Sequence, residues 1–284
     1  MFDAYADIPP EFWQSPPVWI TIWCLGACWG SFLNVCIYRI PKELSVVAPG
    51  SHCFSCKKPV AGYDNIPVLS WFILRGKCRN CGASFSIRYA IIEAITATLF
   101  LGLWIYHGPS WVVPCYWLMT FGLLLGSGVD LDEFWIPDRV TWGGIIIGVP
   151  LSALVPALHG QETALQGLLH GAAGAALGFG MLWTVGAVGT FIFKKDAMGF
   201  GDVKLMGAIG AFLGMPAVLF TVFAAALVGS IFGVTMILLG KNELGGRIPF
   251  GPYLAAGAIA WLFGGDALFD AYLNLLLTGN GGTL

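Results

Sequence analysis

The stretch LMGAIGAFLGMPAVLFTVFAAALVGSIFGVTMILLG at residues 205–240 contains no Asp, Glu, Lys or Arg over 36 residues. A membrane-spanning helix needs about 20 apolar residues to cross a hydrocarbon core about 30 Å thick. A straight helix of this length would extend about 54 Å, at about 1.5 Å per residue. Because Gly214 and Pro216 supply a turn signal inside it, the stretch predicts two membrane crossings.

Five other stretches of the chain also lack charged residues, and they lie at 12–38, 94–129, 140–161, 163–193 and 248–265. The second of these is again 36 residues long and contains the turn signal His107-Gly108-Pro109-Ser110. The chain therefore predicts eight crossings, at about 17–38, 89–106, 111–129, 140–158, 167–193, 203–214, 216–239 and 250–265. The sixth is short for a full crossing, and residues 266–278 are predicted to form a short amphipathic or interfacial helix.

The composition is that of a membrane protein. Hydrophobic residues make up 57% of the 284 and charged residues only 11%, with a mean hydropathy of +0.77. A soluble domain carries about 25% charged residues. These values exclude an ordinary soluble enzyme, a disordered chain and a basic nucleic-acid-binding protein. The predicted fold class is an all-α polytopic membrane protein, with about eight transmembrane helices and a small cytoplasmic zinc-ribbon-like loop domain.

The basic residues indicate how the chain is oriented. Segment 39–88 holds eight of the 14 Lys and Arg residues, whereas residues 1–38 hold none. With the N-terminus outside and eight crossings, all 14 fall on one side, which the positive-inside rule assigns to the cytoplasm. A single crossing at 205–240 would leave Lys241 and Arg247 outside. No cleavable signal peptide is expected, because the start lacks a basic n-region, and the predicted location is a bacterial inner membrane with a periplasmic N-terminus.

Four cysteines form the pattern Cys53-x2-Cys56 and Cys78-x2-Cys81 inside the polar segment. Two CxxC pairs at about this spacing are typical of a zinc ribbon, in which four thiolates complete a closed tetrahedral site. Two disulfides or free thiols are the alternatives, and a cytoplasmic location disfavours disulfides. Because a closed four-sulfur site has no open position for water, the predicted zinc ion is structural.

Two acidic sequences follow predicted crossings on the same membrane face, DLDEFWIPD at 130–138 and GFGD at 199–202. Ionisable groups at membrane depth are costly and usually functional. If Asp130 and Asp202 come close together, they share one proton and are equipped to activate water by acid–base chemistry. Taken singly, the acids have a plainer interpretation, since most of the first group would lie in a solvated loop and Asp202 would cap a helix. The case for chemistry rests on the two sites together.

Two other classes of protein are compatible with eight helices. A transporter or channel predicts acids near the bilayer midplane and broken helices along a pathway, whereas the acids of this chain cluster at one face. A binding scaffold would use the cysteine loop as a docking module. It would leave Asp202 unconstrained, so that Asp202→Asn would have no effect.

Six motifs in order carry a resemblance to a known family. They are GSFLNVCIYRIP at 30–41, the double CxxC, IRYAIIEAITA at 87–97, DLDEFWIPD at 130–138, GFGDVKLMGAIGAFLG at 199–214 and IPFGPYLAAG at 248–257. Over nearly its whole length the chain resembles the type IV prepilin leader peptidases, which are bifunctional peptidase/N-methyltransferases of the GxGD aspartic protease group. Six motifs in register make the resemblance specific.

The resemblance implies an activity and its residues. Asp130 and Asp202 match the catalytic pair, Asp132 and Asp138 match less important motif positions, and the four cysteines match the zinc-binding motif. The implied substrates are type IV prepilins or type II secretion pseudopilins, cut at the cytoplasmic membrane face. The new N-terminal amine would then be methylated from S-adenosylmethionine. A peptidase without methyltransferase activity is the neighbouring alternative.

The predicted organisation has three parts. Residues 1–38 form a periplasmic segment and the first helix, 39–88 the cytoplasmic tetracysteine domain, and 89–284 the membrane-embedded peptidase domain. No Rossmann-type glycine motif follows a predicted strand, so no motif locates the S-adenosylmethionine site. Three ionisable residues near the first cytoplasmic loop are candidates by position alone: Arg39, Glu43 and Glu93.

Overall fold

The computed structural model describes residues 9–195, 198–240 and 249–278, and the regular secondary structure of this part is entirely helical. The α-helices are α1 (Pro10–Trp13), α2 (Pro16–Arg39), α3 (Leu69–Ile73), α4 (Arg88–His107), α5 (Val112–Glu133), α6 (Asp138–Leu154), α7 (Ala164–Phe193), α8 (Phe200–Leu238), α9 (Gly251–Ala260) and α10 (Asp266–Thr278). Short 3-10 turns lie at Gly62–Asp64 and Pro156–His159. The predicted all-α membrane fold class is confirmed.

Six helical segments in the described part are long and apolar enough to cross a membrane, namely α2, α4, α5, α7, α8 and the continuous segment Gly251–Leu277. Helix α6, which was predicted as a crossing, has only 17 residues. The predicted total of eight crossings is therefore not confirmed. Residues 266–278 were predicted to form a short amphipathic or interfacial helix, and α10 begins at Asp266 after a kink at which Phe263 and Gly264 have non-helical dihedral angles.

Helix α8 is interrupted where the sequence predicted a turn. Gly214 has φ 81° and ψ −178°, which no helix accommodates, and Pro216 has no N–H to donate. Residues 202–214 before the break are buried without exception. The break is confirmed, and it places the buried half of α8 in the middle of its neighbouring helices.

The chain divides into two compact units, Met1–Val113 and Pro114–Leu284. In the first unit α4 packs along α2, whereas the predicted boundary at residue 88 had grouped α4 with the peptidase domain. A Cβ atom on Gly30 would lie 2.6 Å from the Glu93 Cα atom, and one on Gly26 would lie 2.7 Å from the Ala97 Cα atom. The two helices thus approach closely because glycine leaves room for backbone against backbone.

Glycines also mediate the central contact of the second unit, between α7 and α8. A Cβ atom on Gly174 would lie 2.1 Å from the Gly210 carbonyl oxygen, and one on Gly178 would lie 2.3 Å from the Met206 carbonyl oxygen. At both positions a residue larger than glycine would place its Cβ atom closer to the carbonyl oxygen than two atoms in contact can lie. Helix α8 also packs against α6 and α9.

Candidate active site and metal centre

The two aspartates singled out in the sequence lie in the second unit, at helix ends. Asp130 is in the last turn of α5 and is 5% exposed, and Asp202 is in the first turn of α8 and is 9% exposed. Helix α5 ends at Glu133, three residues after Asp130, because Phe134 adopts a left-handed conformation with φ 57°. Pro137 then precedes α6. A short loop therefore carries the chain away and leaves Asp130 facing the protein interior.

A third helix reaches Asp130 from far along the chain. The Gly251 N–H, at the first position of α9, donates a hydrogen bond of 3.0 Å to Asp130 Oδ2. Helix N-termini bind carboxylates well, because their first N–H groups have no partner in the helix. A Cβ atom at position 251 would lie 2.8 Å from the same oxygen. Position 251 thus requires glycine for this contact.

The side chain of Ile136 connects the three helices that carry or hold the acids. Its Cγ2 atom lies 3.2 Å from a Cβ built on Gly126 of α5, and its Cβ atom lies 3.3 Å from one built on Gly201 of α8. Its Cδ1 atom lies 3.1 Å from one built on Gly251 of α9. Ile136 is 4% exposed. It fills the space between the helix ends and thereby sets their spacing.

The two carboxyl groups share this neighbourhood. Asp130 is close enough for its charge to act on Asp202. A Cβ atom on Gly199 would lie 3.1 Å from Asp202 Oδ2, and Gly201 faces Ile136. Contacts within the protein therefore account for glycine at both positions.

The other acids of the first motif occupy the surface. Asp132 and Glu133 are exposed. Asp138 forms an ion pair with Lys204, whose Nζ donates to Asp138 Oδ1 and whose side chain is mostly buried. Sequence reasoning missed Lys204 as part of this region. The sequence feature that could have indicated it is a single lysine two residues after Asp202, directly before a 36-residue stretch without charged residues.

The four cysteines of the first unit converge as their spacing predicted. Their sulfur atoms all lie within 4.8 Å of one another, and none of them forms a disulfide. Cys53 Sγ is 3.8 Å from Cys81 Sγ. A tetrahedral site with Zn–S bonds of about 2.3 Å has S–S edges of about 3.8 Å. The sulfurs therefore fit a single zinc ion.

The two CxxC turns have the same backbone design. In the first, the Lys57 N–H donates to the Cys53 carbonyl, and in the second the Gly82 N–H donates to the Cys78 carbonyl. Lys57 and Gly82 both have positive φ. Backbone N–H groups of Cys56 and Ser55 lower the pKa of Cys53 to about 6. This backbone arrangement favours the thiolate, which is the form that binds a metal.

The fold and site define a multi-pass membrane protein with two buried aspartates at adjoining helix ends and a tetracysteine cluster. Residues 24–107 match the family model described as Bacterial Peptidase A24 N-terminal domain, and residues 117–234 match that of the Type IV leader peptidase family. The chain belongs to the type IV leader peptidase family. The two matched segments fall one in each compact unit.

Relatives named prepilin leader peptidase/N-methyltransferase span most of the chain. The one from Aeromonas salmonicida is 34% identical, over 87% of this chain and 91% of its own length. The one from Stutzerimonas stutzeri is 32% identical over 94% and 98%, and that from Pseudomonas aeruginosa is 34% identical over 88% and 91%. No solved structure matches the chain. The family resemblance read from the six motifs is confirmed.

Proposed function

We propose that the chain is a membrane aspartic endopeptidase that removes the leader of type IV prepilins and then N-methylates the new terminus. The observation that supports the peptidase half is that Asp130, held by the Gly251 N–H, lies near enough to Asp202 for its charge to act on that carboxyl group. Both carboxyls are buried, so water is restricted near them. The relatives' shared name supports both activities.

The chemistry follows from two carboxyl groups that cannot both ionise easily at close range. The ionised one takes a proton from a water molecule, whose oxygen attacks the scissile carbonyl carbon. The protonated one donates its proton to the carbonyl oxygen. When the tetrahedral intermediate collapses, the C–N bond breaks and the leaving amine takes up a proton. General acid–base catalysis of this kind contributes about 10²–10⁴-fold to the rate.

The substrate class extends from prepilins to the pseudopilins of type II secretion. The hydrophobic helix of such a substrate would lie in lipid beside the peptidase helices, with its leader at the cytoplasmic face. The location is the bacterial inner membrane, with a periplasmic N-terminus, as the distribution of basic residues indicates. Lys241 and Arg247, on which part of that orientation depends, lie outside the described residues. No nucleic acid takes part.

Two groups complete the proposed enzyme. Cys53, Cys56, Cys78 and Cys81 would hold a structural zinc ion, as their sulfur geometry allows. S-adenosylmethionine supplies an electrophilic methyl group for the second reaction.

Cleavage by the purified protein tests the peptidase. Asp130→Asn and Asp202→Asn should each lower the rate of leader removal by about 10²–10⁴-fold or more in detergent, where no gradient exists. Asp270→Asn, an exposed acid on α10, is the matched control and should cleave normally. Near-normal cleavage by either site variant would remove that residue from the mechanism. Absence of cleavage by the unaltered protein would favour the transporter or scaffold interpretation.

Mass analysis of the processed N-terminus tests the second activity. With S-adenosylmethionine present, the mature product should gain one methyl group, and without it the product should be cleaved but unmethylated. A product that stays unmethylated in both cases would leave a peptidase alone.

A further inference from the structure

The first unit contains a cavity of about 530 Å³ beside the tetracysteine loop. It is bounded by the C-terminal end of α2, the start of α4 and the loop between them. Pockets that enclose ligands of drug size measure about 300–1,000 Å³. Neither Asp130 nor Asp202 lines this cavity, so the peptidase mechanism proposed above involves none of its lining residues.

One wall of the cavity presents a fixed carboxylate, that of Glu93 on α4. The Val68 N–H donates a hydrogen bond of 2.6 Å to Glu93 Oε2, and the Ser31 hydroxyl also donates to this carboxylate. Glu93 makes no ion pair with any basic side chain among the described residues. No basic side chain therefore competes with a cationic ligand for this carboxyl group.

The turn that holds Glu93 is strained. Val68 has φ 64° and ψ −55°, and the Leu69 N–H donates to the Pro67 carbonyl at 2.7 Å. This is a γ-turn of the rare form with positive φ, which is very unfavourable for a β-branched residue. Such strain persists only where the surrounding structure enforces it, and it is concentrated at functional sites. Here it aims a backbone N–H at the Glu93 carboxylate.

The cavity also has unused hydrogen-bonding capacity. Ser70 lines it and is 8% exposed, and its hydroxyl has no hydrogen-bond partner within the described part of the chain. Asn34 lines it too, with its amide nitrogen donating to the Gly30 and Tyr89 carbonyls. A buried polar group without a partner is costly, so a polar ligand here would relieve that cost.

Aromatic rings line another part of the cavity. The Tyr38 and Phe54 rings have centroids 5.1 Å apart, and His52 lies 5.9 Å from Phe54. All three residues line the cavity. Aromatic faces stack on planar heterocycles such as adenine.

We infer that this cavity is the S-adenosylmethionine site, with Glu93 facing the sulfonium and the Tyr38–Phe54 pair receiving the adenine. The inference rests on the proposed methyltransferase function. A sulfonium cation, an adenine and a polar amino-acid end match a fixed carboxylate, an aromatic pair and the Asn34 and Ser70 side chains. Arg39, a candidate by position, is committed elsewhere, because its guanidinium donates to the Ser45 and Pro49 carbonyls.

The reaction at this site is a nucleophilic substitution. The amine nitrogen of the cleaved pilin bonds to the methyl carbon, and the carbon–sulfur bond breaks with its electron pair remaining on sulfur. The amine then loses one proton to solvent. The by-product, S-adenosylhomocysteine, carries no charge on sulfur, and this difference provides the test.

Calorimetric titration of the full-length protein in detergent, with S-adenosylmethionine and separately with S-adenosylhomocysteine, measures the two affinities. Glu93→Gln should weaken S-adenosylmethionine binding about tenfold or more, and S-adenosylhomocysteine binding less than about threefold. Phe54→Ala should weaken both ligands about equally, because both carry adenine. Retained S-adenosylhomocysteine binding by Glu93→Gln also shows that the variant is folded.

Matched controls come from the same unit. Glu43→Gln and Phe72→Ala alter an exposed acid and an exposed ring outside the cavity lining and should bind both ligands normally. Equal weakening of both ligands by Glu93→Gln, unaltered binding by Phe54→Ala, or no binding by the unaltered protein would overturn the inference. If the unaltered protein methylates pilin while the cavity variants bind normally, only the inference falls. If it binds as expected but does not methylate, only the methyltransferase half of the proposed function falls.

Discussion

Asp130 depends on a residue 121 positions away in the chain. The Gly251 N–H holds one of its carboxylate oxygens, and the missing side chain at 251 is what allows the contact. Asp202 is similarly faced by Gly199. At the residue scale, the candidate active site therefore consists of two acids and the glycines that leave room for them.

Gly251→Ala should impair leader cleavage without removing either acid. The added methyl group would lie 2.8 Å from Asp130 Oδ2, so the carboxyl group or the start of α9 must move. We expect a fall of about tenfold or more in the cleavage rate, equivalent to about 1.4 kcal/mol of transition-state stabilisation. The rate is measured with a purified prepilin in detergent.

Gly143→Ala is the control for this substitution. A Cβ atom at position 143 meets nothing within 4 Å, so its cleavage rate should match that of the unaltered protein. If Gly251→Ala also cleaved at the normal rate, the hydrogen bond from α9 would not matter for catalysis.

At the scale of single elements, the loop between α2 and α4 has little regular structure to hold it. It contains one short helix, a 3-10 turn and two isolated β-bridges, His52 with Pro59 and Lys77 with Ser84. An ion pair joins Arg79, whose side chain is 53% exposed, to Asp64, and a single partly exposed pair does not hold a loop of this length. Small domains of this kind usually depend on a metal.

Metal removal should unfold this loop. We expect about one zinc ion per chain in the purified protein by elemental analysis, and loss of that zinc in Cys53→Ser. Without zinc, limited trypsin digestion should cut faster at Lys57, Lys77 and Arg79, which lie in or beside the two CxxC turns.

Cys24→Ser alters an exposed cysteine outside the cluster and should keep both its zinc and its resistance to trypsin. A purified protein without zinc whose loop still resists digestion would contradict the structural role assigned to the metal.

At the scale of the whole molecule, each compact unit carries one candidate function. The first unit holds the cysteine cluster and the large cavity, and the second holds the aspartate pair. Within the second unit, the turn after α6 meets the break in α8 at the far end of these helices from the acids. There His159 shares a hydrogen bond with the Ser152 hydroxyl, which donates to the Ala211 carbonyl three residues before the break.

This junction should make the stability of the second unit depend on pH. Burial, together with the neighbouring His170, lowers the pKa of His159 to about 4. In the unfolded chain histidine titrates near its ordinary pKa of about 6.5. As the pH falls from about 6.5 towards about 4, the unfolded state binds a proton that the folded state does not, so the free energy of unfolding decreases.

The measurement is the thermal midpoint in detergent at pH 7.5 and pH 5. His159→Gln should show a smaller decrease between these two pH values than the unaltered protein, because glutamine does not titrate. His52→Gln, a change in the first unit, should retain the full decrease. Equal pH dependence in the unaltered protein and His159→Gln would exclude His159 as its source.

Local patterns accounted for much of this molecule. Charge-free stretches predicted the membrane helices, Gly214 and Pro216 predicted the break in α8, and the CxxC spacing predicted the cysteine cluster. Each of these depends on neighbouring residues, through helix length, backbone dihedral angles or the geometry of a tight turn. The number of crossings was less secure, because α6 is short and a kink at Phe263 and Gly264 interrupts the last apolar segment.

Reading the residues alone was enough to predict a helical membrane chain with two acids and four cysteines as candidate groups. That Gly251 holds Asp130, that Ile136 spaces three helix ends and that Glu93 faces a cavity became visible only in the folded chain. The reason is that helices in lipid associate through close packing rather than through a hydrophobic force. Which helix faces pack together therefore depends on the combined shape of residues that are far apart in the chain.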